Sequence, residues 1–484
     1  MNGVQTAPRP LGLAVTRPAD GRVLVAVGVA AVLTDLAVRS GVAGLAGSLL
    51  VVAVVAGVLA SGRVAGVEAA GVVGAAVPFG VLLSVRTSPW LLPLDTVAIG
   101  GLLLLGASLA GGGRLFDLPI PGVAARALHA AFHGLAAPAF VAAPLGRRRP
   151  SAVLLGVALA LPLLVVLGLL LASADAVFAG FFRWWSSPET VIVHAVLLGV
   201  GAWGMAGLLR LSSAEPAPAP PDLPYRLGHV EATVVVGSLV ALFTAFAVAQ
   251  VVAVAGGARH VLDTAGLTYA EYARQGFFQL LAVAAITVVA LVGLRAVTDL
   301  SDPVHRRVFT VLGEVAIALT LVILAVALRR LGLYQQAYGL TMLRLVSFVF
   351  AVWIALVLVL AGLALGGVGR ERAWFVGAAL VGGLVLLLCL NVVNPEAVVV
   401  RHNVERATQG KPIDPAYLAE LSDDAVPALI RALPRLPEAE RAAVLAAACR
   451  GSDVPFDGWA AANTSRRRAM DARRQVCRPG VVRR

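Results

Sequence analysis

VGGLVLLLCLNVVNPEAVVVRHNVERA, residues 381–407, joins two kinds of sequence at Asn394. The part before Asn394 is almost entirely apolar and is typical of a helix in the hydrocarbon of a membrane. The part after it is polar, and Asn394 followed by Pro395 and Glu396 is a typical helix start. The sequence therefore predicts a membrane helix that passes directly into a polar helical domain.

The composition of the whole chain indicates a membrane protein. Of its 484 residues, 59% are hydrophobic and 14% are charged, whereas a soluble protein carries about 25% charged residues. The apolar runs are continuous rather than alternating, which favours helices over a β-barrel. We predict an all-α fold, a polytopic α-helical membrane protein with a small C-terminal helical domain. Its arginines lie between apolar runs without a nucleic-acid-binding signature, so the expected partner is the lipid bilayer and not nucleic acid.

Apolar runs of near 20 residues predict about eleven transmembrane helices. The leader has no signal-peptide form, so we expect the first helix to be uncleaved. The predicted spans are residues 23–38, 42–60, 67–85, 91–110, 152–172, 190–209, 231–254, 276–297, 308–328, 341–365 and 373–393. The predicted domains are a disordered leader (1–22), a first bundle (23–211), a Pro/Ala-rich linker (212–226), a second bundle (227–393) and a polar helical domain (394–484).

The arginine distribution predicts the orientation in the membrane. If the N-terminus is cytoplasmic, the inner segments carry about twice as many arginines as the outer loops, as the positive-inside rule requires. An odd number of spans then places the domain from Asn394 onward outside the cytoplasm. We therefore expect a multi-pass protein of the plasma membrane with an extracytoplasmic C-terminal domain.

The long inner connection, residues 114–150, contains the predicted interfacial helix GVAARALHAAFHGLAA. On a helix, Arg126, His129 and His133 share one face, and the apolar side chains lie on the opposite face. Such a helix is expected to lie in the membrane interface.

Helix-start signals predict a folded tail domain. They occur at Asn394, at Asp414-Pro415, at Ser422, at Leu436-Pro437-Glu438 and at Asp457. If this domain is extracytoplasmic, Cys449 and Cys477 are candidates for a disulfide in an oxidising compartment.

The sequence contains no hydrolase, phosphate-loop or zinc-protease motif, and we assign no catalytic residue, metal site or cofactor. GVGAWG, residues 199–204, matches a dinucleotide fingerprint but lies inside an apolar helix, where close helix packing is the better interpretation. Asp35, Asp95 and His194 are ionisable groups near span ends, where headgroups reduce the cost of their charge.

Two outer segments share a polar and aromatic character. On one helix, Arg330, Tyr334, Tyr338, Thr341 and Arg344 would form a single stripe. Glu271 and Tyr272 precede the eighth span, and Asp175 follows the fifth. We predict an outward-facing polar cleft formed by these residues and the tail. The alternative is a set of snorkelling arginines and interfacial tyrosines.

Four blocks in conserved order resemble a bacterial polytopic family, domain of unknown function 4173 (DUF4173). They are LLASADAVF (170–178), TYAEYARQGFFQLL (268–281), YQQAYGLTMLRLVSFVFAVW (334–353) and the tail segments NPEAVVVRHNVERA, GKPIDPAYLAELSDDAVPALI and GWAAANTSRRRA. The resemblance implies a multi-span membrane protein of unassigned role and transfers no catalytic residue.

Three hypotheses for function follow. The first is a non-enzymatic envelope platform that displays the tail domain to a protein or polymer of the envelope. The second is a transporter or flippase, and the third is an intramembrane transferase that uses the outer cleft with Asp175 or Glu271 as its base.

Overall fold

The computed structural model describes residues 14–64, 66–147, 188–217, 226–255, 276–369, 373–449 and 458–477. These residues form helices joined by turns, and they contain no strand. Eight of the described helices are long and apolar enough to cross a membrane, and Leu45–Ala60 and Val67–Leu82 are shorter apolar stretches. The predicted class, a polytopic helical membrane protein, is confirmed. The number of spans stays a prediction, because residues 152–172 lie outside the described part of the chain.

The described α-helices are numbered in chain order. They are α1 (Gly21–Ser40), α2 (Leu45–Ala60), α3 (Val67–Gly74), α4 (Ala76–Leu82), α5 (Leu91–Ala110), α6 (Ile120–Leu135), α7 (Ala137–Arg147), α8 (Pro188–Leu211), α9 (His229–Ala255), α10 (Phe277–Val297), α11 (Pro303–Tyr338), α12 (Met342–Leu365), α13 (Trp374–Val393), α14 (Pro395–Thr408), α15 (Pro415–Glu420), α16 (Val426–Ala432), α17 (Glu438–Ala448) and α18 (Thr464–Val476).

The bundle has two ends, defined by the contacts of its turns. At one end, Arg63 donates hydrogen bonds to the carbonyls of Arg17 and Pro18, and the hydroxyl of Thr16 donates to the carbonyl of Ser213. We call this end the N-terminal face. The tail domain, α14–α18, packs on the opposite end, which we call the tail face.

The outer surface of the bundle is apolar. Ile286 and Val289 on α10 are 66% and 71% exposed. Such side chains would be unfavourable in water, at about 25 cal/mol per Å² of apolar surface, but not in hydrocarbon. The surface therefore suits contact with lipid tails.

The predicted span 67–85 is broken into α3 and α4 at Ala75. Pro78 lacks the N–H that would bond to the carbonyl of Gly74, so the helix cannot continue regularly through this turn. The predicted close packing at 199–204 holds at Gly201, where a Cβ atom would lie 2.9 Å from the carbonyl oxygen of Ala30 on α1, but not at Gly199 or Gly204, where an added Cβ meets no atom within 4 Å.

The predicted interfacial helix is α6. Its His129 and His133 are buried, and Arg126 donates hydrogen bonds to the carbonyl of Ser108 at 2.8 Å. Leu128 and Leu135, by contrast, are 64% and 69% exposed. The polar face is therefore turned toward the protein and the apolar face outward, as expected for a helix that touches lipid.

The buried apolar side chains form separate clusters. The largest comprises residues of α1–α5, α7 and α8, a second comprises residues of α9–α12, and a third holds the tail domain together. α13 packs its leucines against the first cluster although it follows the second in sequence. The exact domain boundaries, including the linker 212–226, stay a prediction.

Three tail helices begin where the start signals predict, and one of them is α17, which begins at Glu438 after Pro437. Asn394 accepts a hydrogen bond from the N–H of Ala397 at the start of α14, and Asp414 caps α15. The third helix begins at Val426 rather than Ser422. The helix expected from Asp457 begins only at Thr464, because Asn463 provides the cap.

Candidate functional site

The tail domain is fixed to the bundle by a buried polar junction around the loop between α4 and α5. The Asn463 side-chain amide donates to the carbonyls of Leu83 and Arg86 at 3.2 and 3.0 Å. Its oxygen accepts from the N–H groups of Ser465 and Arg466. One side chain therefore caps α18 and also holds that cap against the membrane bundle.

Main-chain hydrogen bonds reinforce this contact. The N–H of Thr464 donates to the carbonyl of Ser84 at 2.8 Å, and the N–H of Leu45 donates to the carbonyl of Ala462 at 2.9 Å. Both bonds join the tail to turns at the tail face. The tail is thus part of the folded unit and not an appended segment.

Asp424 lies at the centre of the junction, with a side chain that is 0% exposed. It accepts hydrogen bonds from the N–H groups of Thr87 and Ser88, each at 3.0 Å, and from the hydroxyl of Ser465. The guanidinium of Arg86 lies 3.8 Å away. Four groups of opposite polarity surround this carboxylate, as a buried charge requires.

A polar chain continues from Arg86 into the bundle. Arg86 donates to the carbonyl of Asn391 at 2.8 Å, and the Asn391 side-chain amide donates to Asp95 at 2.8 Å. Both Asn391 and Asp95 are fully buried. Asp95, expected at a span end near headgroups, is instead covered by protein one turn into α5.

Glu396 is a second buried acid beside Asp424. It accepts from the N–H of Ser422 at 2.8 Å and from the hydroxyl of the same residue at 2.7 Å, and Ser88 lies next to it. Burial raises the pKa of Glu396 and also that of Asp424. The junction therefore holds two acids whose ionised forms are disfavoured by desolvation.

The raised pKa of Glu396 predicts how Glu396→Gln changes the pH dependence of stability. Because the folded-state pKa of Glu396 is raised, its contribution to stability is complete below the ordinary glutamate pKa of about 4.3 and is lost as pH rises through the raised value. The glutamine keeps an acceptor for Ser422 and does not ionise. We expect its thermal midpoint in detergent to fall less between about pH 5 and about pH 8 than that of the wild type. Equal pH slopes in both proteins would contradict this, and exposed Glu420→Gln is the control.

The tail makes a second buried contact, with the turn between α11 and α12. Asn403 donates to the carbonyl of Leu340 at 2.7 Å and accepts from its N–H at 2.9 Å. The N–H of Met342 donates to the Tyr417 hydroxyl at 2.7 Å. Arg406 donates to the carbonyl of Ala337 at 3.0 Å. The domain is thus held at two separate loops of the tail face.

The predicted single stripe from Arg330 to Arg344 is wrong. α11 ends at Tyr338, Gly339 adopts φ 80° and ψ 177°, and Thr341 caps a new helix. The break brings part of the set together across the turn: the Arg344 guanidinium lies 3.9 Å from the Tyr334 ring centroid.

The remaining members of the predicted cleft are placed as follows. Tyr338 packs against Tyr334 with ring centroids 5.1 Å apart and is 57% exposed. Arg330 lies beside Gly276, at the start of α10. Asp175, Glu271 and Tyr272 lie outside the described residues, so the cleft itself stays a prediction.

The two cysteines of the tail lie together. Cys449 follows α17, Cys477 follows α18, and their Cα atoms are 5.8 Å apart with the sulfurs in bonding contact, within the usual range for a disulfide. Pairing in an oxidising compartment stays a prediction, which a thiol map by mass spectrometry checks. The described residues contain no group of three or more His, Cys, Asp or Glu side chains placed to hold a metal ion.

Sequence reasoning missed most of the junction. The start signal at Ser422 lies two residues before Asp424 but does not reveal its burial, and the positive-inside rule treats Arg86 only as a loop charge. A signal was available at Asn463, because Asn-Thr-Ser before a polar helical run is a typical capping sequence. Asn391, a carboxamide inside an apolar span, was a second signal.

A family model described as a domain of unknown function (DUF4153) matches residues 73–432. The matched region runs from the end of α3 to the end of α16 and contains Arg86, Asp95, Asn391, Glu396 and Asp424. This finding corrects the resemblance to DUF4173, which is wrong. No curated protein and no solved structure matches the chain.

Proposed function

We propose that this chain, which belongs to the family of domain of unknown function DUF4153, is a non-enzymatic membrane platform. In this role the helical bundle anchors the protein in the plasma membrane. The tail domain is held on the extracytoplasmic face, where it binds an acidic protein or polymer of the envelope.

The observation that carries the proposal is the two-point fixing of the tail domain. Asp424 and Asn463 hold it to the loop before α5, and Asn403 holds it to the turn before α12. A domain fixed at two loops has a set orientation relative to the membrane. Such an arrangement suits presentation of a surface more than free movement on a tether.

Two features support the extracytoplasmic placement. The N-terminal residues and the tail lie at opposite ends of the bundle. Thr16 bonds to Ser213 at the N-terminal face, whereas Ala462 of the tail accepts a hydrogen bond from Leu45 at the tail face. The arginine distribution favours a cytoplasmic N-terminus. Together they favour a tail that faces away from the cytoplasm.

The charge of the tail surface favours an acidic partner. Glu396, Asp423 and Asp424 are buried in internal contacts, so their charges are not presented outward. Arg467 and Arg468 on α18 are exposed. The tail surface of the described residues exposes more cations (Arg401, Lys411, Arg431, Arg435, Arg441, Arg467, Arg468 and Arg474) than acids (Glu405, Asp414, Glu420, Glu438 and Asp471). Such an excess of positive charge attracts negatively charged ligands.

The described spans favour a platform over a transporter of polar solutes. Asp35, Asp95 and His194 lie within two turns of the ends of α1, α5 and α8. A transport route for a polar solute needs polar groups near the middle of the membrane. The described residues supply ionisable groups at the ends of these helices instead.

The test uses the full chain in lipid nanodiscs with polyglutamate as a model acidic polymer. Arg467→Glu with Arg468→Glu is expected to weaken polyglutamate binding. The matched control replaces Arg306 and Arg307 with glutamate. These two exposed arginines lie at the start of α11 on the N-terminal face. Equal binding by all three proteins would overturn the proposed partner class. A reporter fused after Arg484 that lies in the cytoplasm would overturn the placement.

A further inference from the structure

An apolar groove of about 880 Å³ lies between α5, α6, α12 and α13. Leu102 and Leu105 form its wall on α5, Leu384 and Leu387 form it on α13, and Trp353 lies on α12. α5 and α12 belong to different apolar clusters of the bundle. The groove therefore marks the place where the two halves of the bundle meet without filling the space between them.

The groove is long enough to hold a lipid chain. It extends along α5 from Leu94 to Ser108, which is about 21 Å at 1.5 Å per residue. Half of the hydrocarbon thickness of a bilayer is about 15 Å. Val97, which lines the groove, is 73% exposed, so the groove is open to lipid from the side.

One end of the groove carries a cation. Arg126 lines it on the N-terminal face and donates to the carbonyl and hydroxyl of Ser108 at 2.8 and 2.9 Å and to the carbonyl of Gly112 at 2.7 Å. These partners are neutral, and no carboxylate of the described residues forms an ion pair with Arg126. Within the described part of the chain, the positive charge therefore has no carboxylate partner where the apolar groove reaches the level of the headgroups.

We propose that the groove is a binding site for one anionic phospholipid of the leaflet at the N-terminal face. One acyl chain lies along α5 and α13, and the acidic headgroup lies against Arg126. The apolar walls select a lipid chain, and the guanidinium of Arg126 selects a net negative headgroup over a zwitterionic one. This inference does not depend on the role of the tail domain.

The test titrates the delipidated full chain in detergent with phosphatidylglycerol or phosphatidylcholine and counts bound lipid by native mass spectrometry. The wild type is expected to bind one phosphatidylglycerol about tenfold more tightly than phosphatidylcholine, as one charge-assisted hydrogen bond provides. Arg126→Gln is expected to remove this preference while chain binding remains.

A second pair of variants tests the groove without the charge. Gly101 lines the groove, and a Cβ atom added there meets no atom within 4 Å, so we expect Gly101→Leu to fold and to place its side chain in the groove. Gly100 is equally open but lies about 100° away around the helix, so Gly100→Leu is the control. We expect Gly101→Leu alone to lose the bound lipid. The proposal would be overturned if the wild type bound both lipids with equal affinity or if the two leucine variants bound lipid equally. It would also be overturned if the protein were a dimer that Gly101→Leu dissociates, because a second copy of the chain would then fill the groove.

Discussion

Asp424→Ala is expected to weaken docking of the tail domain by about 3 kcal/mol, the lower end of the cost of removing one partner from a buried charged network. The substitution leaves the N–H groups of Thr87 and Ser88 without their acceptor in a buried place. It also leaves the guanidinium of Arg86 without the carboxylate that lies 3.8 Å away. The lower end of the range applies because burial raises the pKa of Asp424, which offsets part of the favourable charge interaction.

The measurement is hydrogen–deuterium exchange of interface amides that Asp424 does not touch. The N–H groups of Leu45 and Thr464 bond across the junction to Ala462 and Ser84, and they exchange only when the tail leaves the bundle. A loss of about 3 kcal/mol corresponds to about 100-fold faster exchange.

The control is Asp471→Ala, which removes an aspartate that is 59% exposed on α18 of the same domain. An exposed ion pair contributes about 0–1 kcal/mol, so exchange at Leu45 and Thr464 should change little. If Asp424→Ala also left these amides protected, the junction would not hold the tail domain in place.

The sequence predicts the helices of this protein better than their contacts, for a physical reason. A transmembrane helix and an N-cap are local features, so α13 and α14 are visible in residues 381–407 alone. Docking is not local: Asp424 meets Ser88 across 336 positions of the chain. A buried aspartate has the same letter as an exposed capping aspartate, and only its distant partners distinguish the two.

The same limit explains why the arginine pattern indicates sidedness but not roles. The positive-inside rule counts an arginine wherever it lies in a short loop. Arg86 enters that count as an outer charge, yet its side chain is 10% exposed and donates to the carbonyl of Asn391 inside the protein. Arg344 enters it too, although it stacks on Tyr334.

The turn at Gly339 shows how one residue redirects a helical pattern. A helix through residues 330–344 would place Arg330, Tyr334, Tyr338 and Arg344 on one face. Gly339 lies at φ 80° and ψ 177°, a conformation that only glycine adopts readily. The polar residue Arg344 therefore belongs to α12, and the side chain of Asn403 hydrogen-bonds to Leu340 in the turn between the two helices.

Gly339→Ala is consequently expected to destabilise the second contact by more than the backbone strain of about 1–3 kcal/mol. An added Cβ would overlap the side-chain oxygen of Asn403 and lie 2.6 Å from a guanidinium nitrogen of Arg406. Both side chains are buried and hydrogen-bonded to this turn, so neither can move without losing a partner. The expected result is a lower thermal midpoint and faster exchange of the Met342 N–H, which bonds to Tyr417.

The control is Gly410→Ala in the same domain. Gly410 has nearly the same φ, 77° against 80°, but an added Cβ there meets no atom within 4 Å. It therefore reports strain from positive φ without the clash. Asn403→Ala also removes two hydrogen bonds to Leu340, so the double variant Gly339→Ala with Asn403→Ala is expected to lose less stability than the sum of the two single variants, because one of the two overlapping side chains is gone. Equal destabilisation by Gly339→Ala and Gly410→Ala, together with losses that simply add in the double variant, would mean that the tail domain does not pack tightly against this turn.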